Sequence, residues 1–227
     1  MKIIFLNAWY GTVADKFTTF LREQALDTDI FCLQEATDPV NAIAETALPG
    51  YQKIEARKKV TDDDHFFQVT YIKPGLSIAN RTSVLADAPG IGLDVTAEIP
   101  SAAGTLNLVN FHGMSRPVDK RDDPGRLEQS RILIEYLRGK TGPKIVGGDF
   151  NLEPDTESIA LFTRNAYRNL IDEFHIPTTR NKLAWIYPVK QYFSDYVFIS
   201  PDVKLVSFAV PPIEISDHLP LILEVAE

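Results

Sequence analysis

Between residues 51 and 112 the chain offers no convincing helix, whereas strand-then-helix order stands on both sides of that stretch. Continuous alternation of strand and helix would build a single parallel sheet. A long helix-free middle instead calls for antiparallel neighbours, because only they can be joined by short turns. The order therefore predicts two sheets packed face to face, with helices outside, in the mixed α and β class.

Residues 2–8 read as a strand, since Ile3, Ile4, Phe5 and Leu6 form a continuous apolar run. Asp15 is placed to cap a helix on which Phe17, Phe20, Leu21 and Ala25 recur at helical spacing. Asp29 to Leu33 is a second buried strand, and a short helix over 38–47 stops near Pro49-Gly50. Lys53, Glu55, Arg57 and Lys59 alternate with the period of a half-exposed strand. Asp62-Asp63-Asp64 reads as a turn, Phe66 to Ile72 as a strand, and more strands are expected near 77–85, 91–99 and 104–112. Asp123-Pro124 supplies the cap and first-turn proline of a helix ending at Gly139. After a strand at Lys144-Ile145-Val146 come a helix near 155–163 and a less regular stretch to about 190. Strands at 193–199 and 203–210 follow, and Leu219 to Val225 closes the chain. No repeat, low-complexity segment or linker divides it, so residues 1–227 are expected to form a single domain.

Hydrophobic residues make up 44% of the 227 positions and charged residues 24%, the balance of an ordinary globular protein. No apolar run is long enough to span a membrane. The apolar stretch before Asn7 is too short for a signal-peptide core, which leads to the expectation of a cytoplasmic protein. Cys32, the lone cysteine, lies inside Ile30-Phe31-Cys32-Leu33 and reads as a core residue. The net charge of −8 argues against a chain that lives on long duplex DNA, which calls for a basic face. Nothing points to an obligate protein partner.

Gly147-Gly148-Asp149-Phe150-Asn151 ends an apolar run, and its glycines let the backbone approach a neighbour closely. Asp149 and Asn151 stand two residues apart at the C-terminal end of that strand, where open α/β folds place ligands. Asn7, Glu35, His112, Asp195 and Asp217 with His218 likewise sit at the end of an apolar strand or on the segment entering one. Each has a bland alternative: a turn residue, a cap, a satisfied core histidine. The set carries more weight than its members. Convergence of these ends would gather acids that repel one another unless a cation joins them. Oxygen donors such as Asn7, Glu35 and Asp217 suit Mg2+ or Mn2+, and no His or Cys cluster has zinc spacing. A hard cation beside imidazoles and carboxylates is equipped for phosphoryl transfer to water.

Taken together, Leu6-Asn7-Ala8-Trp9, Leu33-Gln34-Glu35, Asn110-Phe111-His112, Gly148-Asp149-Phe150-Asn151, Ser194-Asp195-Tyr196-Val197 and Ser216-Asp217-His218 resemble the motif series of the endonuclease/exonuclease/phosphatase superfamily, the DNase I-like proteins. The motifs occur in that family's order and span nearly the whole chain. The resemblance implies a four-layered α/β sandwich, with two central, mostly antiparallel sheets flanked by helices. It also implies a metal-dependent phosphoesterase. Glu35 then looks like the principal ligand of Mg2+ (or Mn2+), assisted by Asn7 and Asp217. His218 looks like the group that activates water or holds the phosphate, oriented by Asp195. Asp149 and Asn151 look like the groups that position nucleophile and phosphate oxygens, and His112 like a phosphate donor or proton source. Departures are Ser194, where many relatives carry Arg, and Phe67-Gln68-Val69-Thr70-Tyr71, where many carry a Gly-x-Ala-type strand.

The substrate is expected to be a small or single-stranded phosphodiester, or else a phosphomonoester, a nucleotide among the options. A DNA or RNA nuclease using a local basic patch, and a non-catalytic binding module on the same fold, are the alternatives. Lys53, Arg57, Lys58 and Lys59 could form such a patch, although edge strands carry lysines anyway. In the loop after His112, Arg116, Lys120, Arg121 and Arg126 are placed to approach an anion, Arg126 at a helix N-terminus. Trp185, Tyr187, Tyr192 and Phe193 could stack on a base or sugar, or form core.

Overall fold

A computed structural model describes residues 1–59, 65–85, 90–99, 104–186 and 190–226. The strands are β1 (Lys2–Asn7), β2 (Ile30–Gln34), β3 (Gln52–Lys59), β4 (His65–Ile72), β5 (Ile78–Val84), β6 (Ile91–Ile99), β7 (Gly104–His112), β8 (Lys144–Asp149), β9 (Arg168–Asn169), β10 (Asp195–Ile199), β11 (Leu205–Ala209) and β12 (Leu221–Val225). The helices are α1 (Ala14–Gln24), α2 (Asp38–Ala47), α3 (Pro124–Arg138), α4 (Glu157–Arg164) and α5 (Leu170–Glu173).

The strands form two six-stranded sheets, ordered β11-β12-β1-β2-β4-β3 and β5-β6-β7-β8-β10-β9. Neighbours are antiparallel except β1–β2 and β7–β8, the central pairs, which α1 and α3 connect. Both sheets thus repeat one strand plan, and the described residues of the middle are strands β3 to β7, paired antiparallel within each sheet.

Side-chain alternation decides the layers. Ile3, Phe5, Ile30 and Cys32 point into the core between the sheets. Ile4, Leu6, Phe31 and Leu33, one residue out of phase, pack with Phe17, Phe20 and Leu21 of α1 and Val40 and Ala44 of α2. On the other sheet Leu133 and Leu137 of α3 and Phe162 of α4 join the inter-sheet cluster, and the rings of Phe162 and Phe198 stack at 4.3 Å. Helix, sheet, sheet, helix is the four-layered sandwich expected.

Polar groups fix how the sheets meet. Gln34 Nε2 donates to Asn110 Oδ1 at 2.6 Å, and Asn110 Nδ2 reaches the carbonyls of Leu33 and Val69, both at 3.2 Å. Gln68 Nε2 donates to the Ile91 carbonyl at 2.8 Å.

Some local expectations shift. Helix α1 starts at Ala14 without a side-chain cap, so Asp15 stands in its first turn and contributes there as a negative charge at a helix N-terminus. Asp123 does cap α3, accepting from Gly125 N at 2.7 Å and Arg126 N at 3.1 Å. Helix α4 begins at Glu157, later than 155, because Asp122 from a distant loop takes the N–H groups of Glu157 and Ser158. Strand β10 begins at Asp195 rather than 193, since the Ser194 carbonyl is turned to the amides of Phe150 and Asn151. The Asp62-Asp63-Asp64 turn lies outside the described residues.

Candidate active site

The central parallel pairs bring their C-terminal ends to one edge of the sandwich. Asn7 ends β1, Glu35 follows β2, His112 ends β7 and Asp149 ends β8. Antiparallel β10 begins opposite, with Asp195 in register with Asp149, and the segment entering β12 supplies Asp217 and His218. The expected strand-end residues therefore converge. Asn7, His112, Asp149, Asn151, Asp195, Asp217 and His218 are all buried, and Glu35 is half-buried.

Asp149 is the hub. Its Oδ1 accepts from Asn151 N at 2.8 Å and Ser194 Oγ at 2.7 Å, and its Oδ2 accepts from Asn7 Nδ2 at 2.9 Å. That same Oδ2 lies 3.7 Å from His112 Nε2 and 3.7 Å from His218 Nε2, between the two imidazoles. Burial opposes its ionisation, but His218, Lys120, His112 and Arg180 outweigh burial and hold the carboxyl well below the usual range. Asn151 adopts the left-handed conformation, φ 55°, and its amide donates to the Gly113 carbonyl. Phe150 between them turns the other way, its ring 4.6 Å from that of Phe111.

Gly147 and Gly148 make this turn possible. A Cβ on Gly147 would lie 2.7 Å from the Phe5 ring, and one on Gly148, at φ 131°, would lie 2.2 Å from the Phe111 carbonyl. The close neighbour is thus the rest of the sandwich.

His218 Nδ1 lies 2.9 Å from both Asp195 oxygens, and its Nε2 lies 2.8 Å from Arg180 Nη1. A guanidinium only donates, so Nε2 must accept, and the ring is neutral with its proton on Nδ1 facing Asp195. Burial and then Arg180 push His218 down to about 3. Burial, reinforced by Asp149, raises Asp195. Arg180 Nη2 also donates to Asp217 Oδ2.

A divalent cation fits this donor set at Glu35. Its backbone is left-handed, φ 51°, and its Oε2 is buried with no hydrogen-bond partner among the described residues. Burial pushes its carboxyl up to about 8, the Asn7 amide opposes that, and Asp149 and Asp217 reinforce it. Such an acid invites a positive partner. Asp149, Asp195 and His218 also offer ligand atoms within 4.8 Å of one another. Those atoms already serve hydrogen bonds, Asp217 is tied to Arg180 and Asn7 Oδ1 accepts from Trp9 N, whereas Glu35 Oε2 has no such partner among the described residues.

The basic stretches divide. Lys120 is buried in the site, its Nζ donating to Ser194 Oγ at 2.5 Å. Arg126 is fully buried and binds the carbonyls of Met114, Pro117 and Arg121, which corrects its reading as an anion contact. Arg116 is exposed, and Arg121 pairs with Asp155. On edge strand β3, Lys53 pairs with Glu45 and Arg57 with Asp38, as an ordinary sheet edge would. Trp185 and Tyr192 are exposed, with ring centroids 6.0 Å apart, and Phe193 is half-buried; Tyr187 lies outside the described residues.

The sequence reading missed Arg180. It lies in Thr178-Thr179-Arg180-Asn181, where no apolar run marks a strand end, and a single bridge to His218 brings it into the site. Thr179 beside it accepts from the amides of Ser194 and Asp195 at 3.1 and 3.2 Å.

Paired six-stranded sheets between helices, with acids, imidazoles and amides gathered at one edge, define a DNase I-like α/β sandwich. Residues 5–218 match the endonuclease/exonuclease/phosphatase family, and the chain belongs to it. Among solved structures it is similar to a mannosyl-6-phosphatase from Bacteroides thetaiotaomicron, with 18% identity, 100% of both chains covered and a TM-score of 0.80. It is also similar to the human Nocturnin catalytic domain, with 17% identity, 100% and 94% covered and a TM-score of 0.75. A humanized D. rerio TDP2 shows 17% identity, 100% and 99% covered and a TM-score of 0.76. Likeness at these identities establishes the fold. A comparison with curated proteins finds no match. Among the described residues no helix is long and apolar enough to cross a membrane.

Proposed function

We propose that this protein is a divalent-metal-dependent hydrolase of phosphate esters, with water as the attacking group. The observation that carries the reading is Asp149 Oδ2, ionised and placed between His112 and His218 at 3.7 Å from each. Both imidazoles help keep this carboxylate ionised, and at 3.7 Å each stands beyond hydrogen-bond distance of it.

Asp149 orients the attacking water as a hydrogen-bond acceptor. His218 Nε2 accepts from Arg180 and becomes a general base once Arg180 turns to an anionic ligand, and Asp195 holds the ring in that tautomer. Asn7 and Asn151 position Asp149, through a side-chain amide and a backbone amide respectively. His112, in edge contact with Phe66 at 4.9 Å, stands on the far side of Asp149 as the donor to a phosphate oxygen or leaving group. Glu35, with Asn7, is the seat for Mg2+ or Mn2+, and Asp217 joins it if Arg180 moves to an anionic ligand. The metal supplies charge neutralisation of the phosphate oxygens.

Similarity to a mannosyl-6-phosphatase fits a phosphate ester as substrate. Paired cations on β3 weaken the case for a long-duplex nuclease. The test is turnover of p-nitrophenyl phosphate and bis(p-nitrophenyl) phosphate with Mg2+ or Mn2+, with and without EDTA. Turnover abolished by EDTA is expected; no product from either ester with either metal would end the reading and favour a binding module.

A further inference from the structure

We infer that Lys120 and Arg180 form a two-cation seat for a phosphate carrying two negative charges, so that the site takes a phosphomonoester in preference to an internal phosphodiester. The inference rests on the phosphoesterase reading above and names its substrate class.

Both cations are taken out of water, Lys120 with 4% and Arg180 with 6% exposure. Burying a charge is costly unless it is matched. The carboxyls of Glu35, Asp149, Asp195 and Asp217 lie around these cations, Asp149 ionised and Glu35 pushed up to about 8 by burial. An entering phosphate then meets cations from two loops, one after β7 and one before β10. Attraction grows with the product of charges, so a dianion gains about twice what a monoanion gains from the same pair.

The loop bearing Lys120 is built to present it. Lys120 has a left-handed backbone, φ 55°, a conformation that costs a non-glycine residue free energy. Its carbonyl is held by Glu153 N at 2.9 Å, and the loop around it is wound on the buried Arg126 guanidinium. An ammonium has three donors. Among the described residues Ser194 Oγ is the hydrogen-bond acceptor that Lys120 Nζ has, which leaves donors for a ligand. Burial pulls Lys120 down to about 8, against the pull of Asp149, so it is cationic at neutral pH.

The experiment compares kcat/KM for p-nitrophenyl phosphate and bis(p-nitrophenyl) phosphate with Mg2+, in the wild type and in Lys120→Gln, with inorganic phosphate and dimethyl phosphate as competitors. The wild type is expected to prefer the monoester and to be inhibited by inorganic phosphate far more than by dimethyl phosphate. Lys120→Gln is expected to lose roughly ten- to a hundredfold on the monoester, the worth of a charged hydrogen bond, with a much smaller loss on the diester. A wild-type preference for the diester, or equal losses on both esters, would overturn the seat while leaving the phosphoesterase reading intact. Failure to turn over either ester would overturn both. If the variant does not fold, the wild-type preference and the competitor pair still decide.

Discussion

Arg180 Nη1 donates to His218 Nε2 at 2.8 Å, on the opposite side of the ring from Asp195. The contact assigns the imidazole its proton: Nδ1 carries it and Nε2 offers a lone pair. Nitrogen-15 NMR of His218 at neutral pH is expected to show a neutral ring protonated at Nδ1. A doubly protonated ring would contradict the arrangement.

Asp195 acts through His218. Asp195→Asn keeps the shape of the side chain and replaces one of the two oxygens facing Nδ1 with a donor. A loss in kcat of about 10²–10⁴ is expected, with little change in unfolding midpoint. A kcat within a few-fold of wild type would assign the orienting role elsewhere.

Lys120 yields a pH dependence with a definite sign. Burial lowers its folded value to about 8 from the ordinary lysine value of 10.5. Between those values the unfolded chain binds the proton that the folded chain has lost, so stability rises with pH across that window. Below about 8 both states are charged and the burial cost stands in full. Thermal unfolding from pH 7.5 to 10.5 is therefore expected to show a difference between wild type and Lys120→Gln that shrinks as pH rises. A difference that grows would reverse the sign.

Gly147 has no room for a methyl group, since its Cβ would meet the Phe5 ring at 2.7 Å from the opposite sheet. Gly147→Ala is expected to cost about 1–3 kcal/mol in urea unfolding, the range for overpacking a tight core. An unchanged midpoint would mean that the sheets separate more easily than their packing indicates.

Arg126 is a buried cation whose loss leaves the Met114, Pro117 and Arg121 carbonyls without their donor. Arg126→Met is expected to destabilise by about 3–5 kcal/mol and to loosen the loop that carries Lys120. Faster amide hydrogen exchange confined to residues 114–122 would locate the effect, and wild-type exchange there would refute it.

What the sequence made legible follows from periodicity. Apolar runs such as Ile3–Leu6 and Ile30–Leu33 are buried on both faces, and the polar residue that ends each run is delivered to the sheet edge. This is why Asn7, Glu35, His112 and Asp149 are legible at the ends of such runs, and Asp195 at the entry to one. Gln34 and Asn110 stood in the same motifs without a role. Their hydrogen bond joins the two sheets, a contact between residues 76 apart in sequence that no local pattern encodes. Arg180 lay deeper still. It comes from an irregular segment, and only tertiary pairing with His218 and Asp217 makes it part of the site. Lys120 and Arg126 look alike in sequence, both basic and both after His112. One faces the acids and the other faces loop carbonyls, a difference decided by how the loop winds. Asp15 misled because a capping residue type one position inside a helix reads the same as one at its start.

Asp149 carries the central claim, and turnover by Asp149→Asn tests it most directly. The substitution keeps the size of the group while removing the charge between His112 and His218. With Mg2+ present and folding verified by circular dichroism, the variant is expected to hydrolyse p-nitrophenyl phosphate about 10²–10⁴-fold more slowly than the wild type. Turnover at the wild-type rate would place the chemistry away from this cluster and contradict the account.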